Sequence, residues 1–232
     1  DPRRPEPIRD FIAFTEHEAR RADSVYILGD LFEAWIGDDD DDAGLKPITA
    51  AIAALTATGI PCHLMHGNRD FLIGTDFCAA TGCRLLDDYA VIDIGGEPVL
   101  LTHGDLLCTD DTRYMTLREQ LRSPAWQRDF LAKPLAERRR IAAELRQLSQ
   151  TEMAAKTEEI MDVNAETVRE TMRRFGVTRL LHGHTHRPGI HRFELDGQDA
   201  VRVVLNDWYG PGGYALWDAE GPRLMTLESA TG

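Results

Sequence analysis

The stretch "LLHGHTHRP", Leu180 to Pro188, places three of the chain's eight histidines at every second position. The apolar residues at its beginning are typical of a short strand that is buried on both faces. The glycine that follows lets the backbone approach a site closely, and imidazole nitrogens are common metal ligands. This stretch therefore predicts a buried strand that ends at a metal site.

Three other pieces of the chain share this design, an apolar run that ends in glycine beside an oxygen or nitrogen ligand. Taken alone, each is more often an ordinary turn or a hydrogen-bonded core histidine. Together they predict one site, because the carboxyl ends of parallel strands meet at one edge of a sheet. Mixed oxygen and imidazole ligands without thiolates favour a hard or borderline ion such as Mn²⁺ over structural zinc. The three pieces are "ILGDLF" with Asp30, "LMHGNRD" with Asn68 and "LLTHGD" with His103.

Strand and helix patterns alternate along the first part of the chain, which predicts an α/β fold. Glycine and proline mark the predicted ends of the elements, and Asn164 is a good N-cap before the last helix. The expected elements are a helix over 8–22, a strand in "SVYILGD", a helix over 48–55, a strand in "IPCHLMHGN", a hairpin at Gly95-Gly96, a helix from Asn164 to Gly176 and antiparallel strands with turns at Asp196-Gly197 and Gly221-Pro222.

The composition excludes several classes of protein. A net charge of -13 over 232 residues argues against binding a nucleic-acid backbone, and the length suits one compact domain. No run of about 18 apolar residues is present to cross a bilayer, so we expect a cytoplasmic protein that could still lie on a membrane surface. The four cysteines are spaced too irregularly for a zinc ribbon or a redox pair, which predicts reduced and mostly buried thiols.

Four extended blocks resemble the successive motifs of the calcineurin-like metallophosphoesterases, and the resemblance covers essentially the whole chain. Their longer form is similar to a branch of that family that acts on a nucleotide-linked lipid in lipid A biosynthesis. The family's first block, a strand that ends in Asp-x-His, is absent from this sequence, and we expect it upstream of Asp1. The four blocks are "GDLFEAWIGDDD", "HGNRDFLIG", "THGDLLCTDD" and "HGHTHRP".

The resemblance implies a layered α/β sandwich of the metallophosphoesterase type, with two Mn²⁺ ions per chain. The first ion would also need the upstream Asp-x-His. His182 and His66 are expected to support ligands rather than to bind metal. In an extended segment residues two apart point the same way, so one backbone could address two adjacent ions. The implied ligands are Asp30 as a bridge, His186 on the first ion, and Asn68, His103 and His184 on the second.

The implied reaction is hydrolysis of the pyrophosphate bond of UDP-2,3-diacylglucosamine by a water activated between two metals. Its products are UMP and 2,3-diacylglucosamine 1-phosphate. Asn68 and Arg69 are the implied catalytic residues, with the Arg69 guanidinium on the phosphoryl oxygens. A salt bridge between Arg69 and Asp70 is the plainer alternative. The implied substrate contacts are Arg69, Asp111, Tyr114, Ser149, Lys156 and His184.

Residues 113–157 are predicted to form a helical cap on a core made of residues 1–112 and 158–232. The segment from Arg113 to Arg146 contains nine Lys/Arg and four Asp/Glu, so its formal charge is 9 - 4 = +5. In one interpretation the cap shelters acyl chains and Arg138 to Arg140 face an anionic membrane. In the other it is an amphipathic hairpin with a solvated basic face. The apolar residues at issue are Trp126, Phe130, Leu131, Leu135, Ile141 and Leu145.

The resemblance favours the first interpretation, and with it a peripheral location on the cytoplasmic face of a bacterial inner membrane. We expect no nucleic-acid partner and no obligatory protein partner. The acidic run Asp38 to Asp42 is expected to be a solvated loop rather than a metal site. Two alternatives remain open: a phosphodiesterase of the same fold on a soluble nucleotide substrate, and a non-catalytic scaffold that binds metal.

Overall fold

A computed structural model describes residues 5–155 and 162–227 of the chain. Its helices are α1 (Pro5–Glu16), α2 (Lys46–Thr56), α3 (Thr75–Thr81), α4 (Thr112–Arg122), α5 (Pro124–Leu131), α6 (Leu135–Ala155) and α7 (Ala165–Phe175). Its strands are β1 (Val25–Ile27), β2 (Cys62–Met65), β3 (Arg84–Leu86), β4 (Tyr89–Ile94), β5 (Glu97–Thr102), β6 (Arg179–His182), β7 (Gly189–Leu195), β8 (Gln198–Val204), β9 (Gly213–Asp218) and β10 (Gly221–Thr226).

Two sheets form the centre of the fold. Strands β1, β2 and β3 make a parallel sheet, and the second sheet has the order β4-β5-β6-β8-β7 with β5, β6 and β8 parallel. Strands β9 and β10 form a separate antiparallel pair. The predicted α/β fold is confirmed, and the predicted hairpin at Gly95-Gly96 joins β4 to β5.

The layers are held together by strands that are buried on both faces. In β5, Val99 and Leu101 belong to a cluster with residues of the first sheet, whereas Leu100 packs on the opposite side with Met172 of α7. A further cluster joins α1 and α2 to the first sheet, with Ile52 fully buried. The apolar runs seen in the sequence are therefore the inner strands of a sandwich.

The predicted helices are largely confirmed. Asn164 caps α7 by accepting from the backbone N–H groups of Glu166 and Thr167, and Gly176 ends the helix with φ +64. The first helix ends at Glu16, and a separate 3₁₀ turn over Ala19–Arg21 follows it. The single helix expected over 8–22 is therefore wrong at its end. Among the described residues no helix has the length and apolarity needed to span a membrane.

One of the two predicted C-terminal turns is wrong. Asp196-Gly197 joins β7 to β8, with both residues at positive φ. Gly221 and Pro222 instead begin β10, and the turn is formed by Ala219 and Glu220. There the Asp218 carboxylate accepts from the backbone N–H of Glu220, which closes the turn without proline.

The acidic run after β1 is exposed at Asp39, Asp41 and Asp42, as expected of a solvated loop, but its carboxylates also make specific contacts. Asp38 accepts from the backbone N–H groups of Gly74, Asp76 and Phe77, so it caps α3 from a distance in sequence. Asp39 forms an ion pair with Arg138 of α6. The run therefore ties the core to α3 and to the third helix of the cap segment.

One of the three arginines that were expected to face a membrane is buried by the same contacts, and the other two are paired with carboxylates. Arg138 is 2% exposed, and its guanidinium also donates to the carbonyl of Ile36. Arg139 pairs with two aspartates of the acidic run, and Arg140 pairs with Glu144 on its own helix. Assignment of Arg138 to a membrane surface is therefore wrong, because it is buried, whereas the exposed Arg139 and Arg140 stay on the surface with their charges paired.

The predicted helical character of the cap is confirmed for α4, α5 and α6, and its expected limit at residue 157 lies outside the described residues. Asp111 caps α4 and Ser123 caps α5. Phe130 is buried, and Trp126, Leu135 and Ile141 pack against the core cluster of the first sheet. For these side chains the amphipathic-hairpin interpretation holds, because they cover the core.

We predict that Arg138→Ala lowers the free energy of unfolding by about 2 kcal/mol, because it leaves the Ile36 carbonyl and the Asp39 carboxylate without their charged donor. Arg140→Ala is the matched control on the same helix, and its exposed pair should cost less than about 0.5 kcal/mol. Urea denaturation of both variants measures the difference. Equal losses would contradict the structural role of Arg138.

Candidate metal centre

Four strand ends bring four predicted ligands to one place. Asp30 follows β1, Asn68 follows β2, His103 follows β5 and His184 follows β6. Ligand atoms of Asp30, His103 and His184 all lie within 4.8 Å of one another. The Asn68 Oδ1 atom lies 3.2 Å from His103 Nε2 and 3.0 Å from His184 Nδ1. The convergence expected from the sequence is present in the structure.

Two glycines make this convergence possible. A Cβ atom at Gly29, which has φ +85, would overlap the backbone nitrogen of Gly67 and lie 2.8 Å from His103 Nδ1. A Cβ atom at Gly67 would overlap the backbone nitrogen of Asp30 and lie 2.8 Å from its Cγ atom. The loops after β1 and β2 are therefore in direct backbone contact, which no residue larger than glycine allows.

Three predicted ligands have left-handed backbones. Asp30, His184 and His186 have φ values of 54, 69 and 55 degrees. Such conformations cost about 1 kcal/mol or more for a residue with a side chain, and they concentrate at functional sites. The segment from His184 to His186 is therefore not extended, and our argument that residues two apart point the same way is wrong there.

His186 is not part of the group formed by Asp30, His103 and His184, whose ligand atoms lie within 4.8 Å of one another. Its Nδ1 atom is 3.5 Å from the Asp207 carboxylate, and its ring is 5.7 Å from the ring of Tyr209. A carboxylate on one ring nitrogen fixes the tautomer and leaves the other nitrogen for a metal. Asp207 follows β8 without a flanking glycine, so no pattern in the sequence marks it as part of the site.

The cluster has the donor set that a cation requires. His103 Nδ1 donates to the carbonyl of Leu28 at 2.6 Å, so the lone pair of its Nε2 atom faces Asn68 and His184. Burial and the neighbouring His103 lower the pKa of His184 to about 4. His184 is thus held in the neutral form that ligation requires, and His103 directs a ring nitrogen into the cluster. Two imidazoles, a carboxylate and an amide oxygen fit a divalent cation of the manganese type.

His182 and His66 occupy supporting positions. His182 is fully buried, and its Nδ1 donates to the Gly183 carbonyl while its Nε2 accepts from Arg202. Burial lowers the pKa of His182 to about 3, so the ring is neutral. His66 contacts the carbonyl of Ile73 at 2.8 Å.

The Arg69 guanidinium lies at the edge of the cluster. Its Nε atom is 3.7 Å from the Asp30 carboxylate, and its Nη1 atom donates to Glu33 at 2.9 Å and to the hydroxyl of Tyr209. The alternative pairing with Asp70 is wrong, because Asp70 is buried and accepts from backbone N–H groups. Those donors are Gly67 and Leu31, so Asp70 ties together the loops after β2 and β1.

Burial, together with the charge of Asp30, raises the pKa of Asp70 to about 6.

Glu33 is a rim residue that our sequence analysis did not single out. Its carboxylate accepts from Arg69 and, at 2.7 Å, from the hydroxyl of Tyr209. Arg146 of α6 lies 2.7 Å from the same carboxylate. Glu33 stands three positions after Asp30 in "GDLFEAW", which is the only sign of it in the sequence.

Two of the predicted substrate contacts, Tyr114 and Asp111, lie at the start of α4. Tyr114 donates its hydroxyl to Asp105 at 2.6 Å, and its ring lies 5.9 Å from that of His184. Asp111 accepts from the backbone N–H of Tyr114 as the cap of α4. Ser149 is exposed on α6, and Lys156 lies outside the described residues.

Asp105 is a second residue that the sequence analysis missed. It is 1% exposed and also accepts from Arg118 at 2.7 Å. Burial alone would raise the pKa of its carboxyl, but His103 and Arg118 outweigh burial and hold the pKa below its usual range. The signal that could have found it is the "HGD" sequence, in which it follows His103 and a glycine.

Comparison with known proteins agrees with this site. Residues 5–188 match the family described as calcineurin-like phosphoesterase, and the chain belongs to that family. The predicted resemblance is confirmed.

Among its relatives is the UDP-2,3-diacylglucosamine hydrolase of Pseudomonas paraeruginosa, which is 50% identical over 220 residues, 95% of this chain and 92% of that protein. The protein of the same name from Stenotrophomonas maltophilia is 45% identical over 98% of this chain and 94% of its own length. A solved structure described as a novel archaeal phosphodiesterase is similar with a TM-score of 0.47 and 12% identity, over 95% of this chain and 92% of that one.

We predict that Gly67→Ala weakens Mn²⁺ binding more than about tenfold, because its Cβ atom displaces Asp30 and shifts the loop that carries Asn68. Gly210→Ala is the control, since a Cβ atom there meets no atom within 4 Å. Titration calorimetry with Mn²⁺ measures both, with circular dichroism to establish folding. Unchanged affinity in a folded Gly67→Ala protein would refute the role of this contact.

Proposed function

We propose that this protein hydrolyses the pyrophosphate bond of UDP-2,3-diacylglucosamine and releases UMP and 2,3-diacylglucosamine 1-phosphate. The observation that carries the proposal is the converging cluster of Asp30, Asn68, His103 and His184. Relatives named for hydrolysis of this substrate are 45% to 50% identical over nearly the whole chain, which supports the same substrate here.

In this proposal the four clustered residues hold one Mn²⁺, and Asp30 and His186 contribute to a second. The mixed oxygen and imidazole donors support manganese, and the ring of His186, beside Asp207, supports a separate ion. When bound, such cations lower the pKa of a water molecule and neutralise charge on phosphoryl oxygens. The protein groups then have to orient the substrate and compensate the remaining charge.

Arg69 is the residue placed to bind the phosphoryl group. Its side chain is 27% exposed at the rim of the cluster, where it already contacts the carboxylates of Asp30 and Glu33. Arg146 shares Glu33 with it, so two guanidinium groups converge on one carboxylate. A pyrophosphate gives these arginines additional anionic partners, and the planar fork of arginine suits phosphoryl oxygens.

Tyr114 is placed to contact the sugar. Its hydroxyl proton is directed to Asp105, so the oxygen lone pairs remain available to accept from a hydroxyl or amide of the glucosamine. Proposed contacts through Asp111, Ser149 and Lys156 rest on the family resemblance. Of these, Asp111 already serves as the cap of α4.

We also propose that the protein works as a peripheral protein on the cytoplasmic face of the inner membrane. A substrate with two acyl chains resides in a membrane, and such a protein needs apolar contact with the lipid. Leu131 and Leu148, 40% and 52% exposed on α5 and α6, supply apolar surface on the cap helices. Arg138 has no part in this, since it is buried against the core.

The experiment that tests the proposed function is UMP release from UDP-2,3-diacylglucosamine by the full-length protein, with Mn²⁺ and with a chelator in its place. We expect UMP release only with the metal, because the clustered ligands themselves carry no positive charge that could activate a water molecule or neutralise the phosphoryl oxygens. Substrate is presented in vesicles that contain anionic phospholipid, and the protein should sediment with them.

No UMP release, with a simple phosphodiester still cleaved, would replace this proposal by a phosphodiesterase on a soluble substrate. Mn²⁺ binding without any hydrolysis would favour the non-catalytic scaffold. UMP release by protein that stays in the supernatant would reject only the membrane location.

Arg69→Ala should lower kcat by on the order of 10² to 10³, because it removes a preorganised donor to charge that develops on the phosphoryl oxygens. Arg128→Ala is the control, since Arg128 lies exposed on α5 and its side chain is 74% exposed. Steady-state UMP release measures both. A kcat within twofold of the unchanged protein would assign Arg69 to charge pairing with Glu33 alone.

A further inference from the structure

Two arginines of α4 connect the loops that carry two of the proposed ligands. Arg118 donates through Nε to Asp105 at 2.7 Å, and Asp105 stands two residues after His103. Arg122 donates through Nη2 to the carbonyl of Gly67 at 2.9 Å, directly before Asn68. The first cap helix therefore contacts both ligand loops, although neither arginine is itself a ligand.

A single carboxylate joins the two arginines to each other. Asp88, in the connection between β3 and β4, accepts from Arg118 at 2.8 Å and lies 3.7 Å from Arg122. We call Asp88, Asp105, Arg118 and Arg122 the α4 brace. It forms a continuous path from the loop after β5, through α4, to the loop after β2.

The arginines of the α4 brace are held in fixed positions. Their side chains are only 12% and 15% exposed for Arg118 and Arg122. The Arg122 guanidinium also lies 5.2 Å from the ring centroid of Phe71, three residues after Asn68. Buried charge-assisted hydrogen bonds of this kind are short and directional, so they transmit the position of α4 to the backbone that they contact.

We propose that Arg122 is a positioning residue for the metal centre, and that the α4 brace couples docking of the cap helix to metal affinity. The inference rests on the proposed function, since Asn68 and His103 are ligands in it. Mutation of a group that orients a metal ligand typically lowers metal affinity or activity 10- to 100-fold. A purely structural role would leave the affinity of the folded protein for Mn²⁺ unchanged.

The test is the affinity of the full-length protein for Mn²⁺ without substrate, measured from the electron paramagnetic resonance signal of free Mn²⁺. Arg122→Met keeps the length of the side chain but removes the donor to Gly67, and we expect affinity to fall about tenfold. Arg122→Lys retains a charged donor and should bind within about threefold of the unchanged protein. Arg128→Met, on the exposed side of α5, should bind as the unchanged protein does.

Equal Mn²⁺ affinity of folded Arg122→Met and the unchanged protein would overturn the proposal, even if KM for the substrate rose. That combination would make Arg122 a substrate-binding residue. Should Arg122→Met fail to fold, Asp88→Asn provides a milder variant, because the Asp88 side chain is 41% exposed. We expect several-fold weaker Mn²⁺ binding from it, and unchanged binding would overturn the proposal in the same way.

The same titration separates this proposal from the proposed function. If the unchanged protein binds Mn²⁺ more tightly than Arg122→Met but releases no UMP, the α4 brace is supported and the substrate assignment is refuted. An unchanged protein that binds no Mn²⁺ refutes both.

Discussion

The close approach of the backbones at Gly29 and Gly67 is the constraint on which the rest of the site depends. It brings the loop after β1 against the loop after β2, and so places the Asp30 carboxylate among the ligands at the other strand ends. Buried Asp70 fixes the same contact by accepting from one backbone N–H in each loop. The left-handed backbone of Asp30 is unfavourable for a residue with a side chain, and the surrounding packing offsets this unfavourable energy.

Several arginines of the cap segment are paired with carboxylates and carbonyls of the rest of the protein. The segment with a formal excess of basic residues lies on an acidic run of the core, and Arg138 is buried in that contact. Two further arginines of the cap segment, Arg118 and Arg122, reach the ligand loops, and Arg146 reaches Glu33 at the rim. Arg118 and Arg146 form ion pairs and Arg122 donates to a backbone carbonyl, so the cap helices contact the candidate metal centre at several points, and these contacts are the basis of the coupling that we propose.

The sequence was sufficient for the alternation of elements and for Asp30, Asn68, His103 and His184, because these features follow local rules of burial and glycine placement. It failed where distant residues decide the outcome. The left-handed backbone at His184 and His186 depends on φ angles that spacing does not reveal. Likewise, charge counts indicate that a cap segment is basic but not which carboxylates neutralise it, so the surroundings of Arg138 could not be predicted.

The most direct test of the central claim, that four strand ends build one cation site, is a crystal structure of the protein grown with Mn²⁺ and measured at a wavelength where manganese scatters anomalously. We predict an anomalous peak in contact with Asp30, Asn68, His103 and His184. A peak elsewhere, or none in protein that binds Mn²⁺ in solution, would contradict the account.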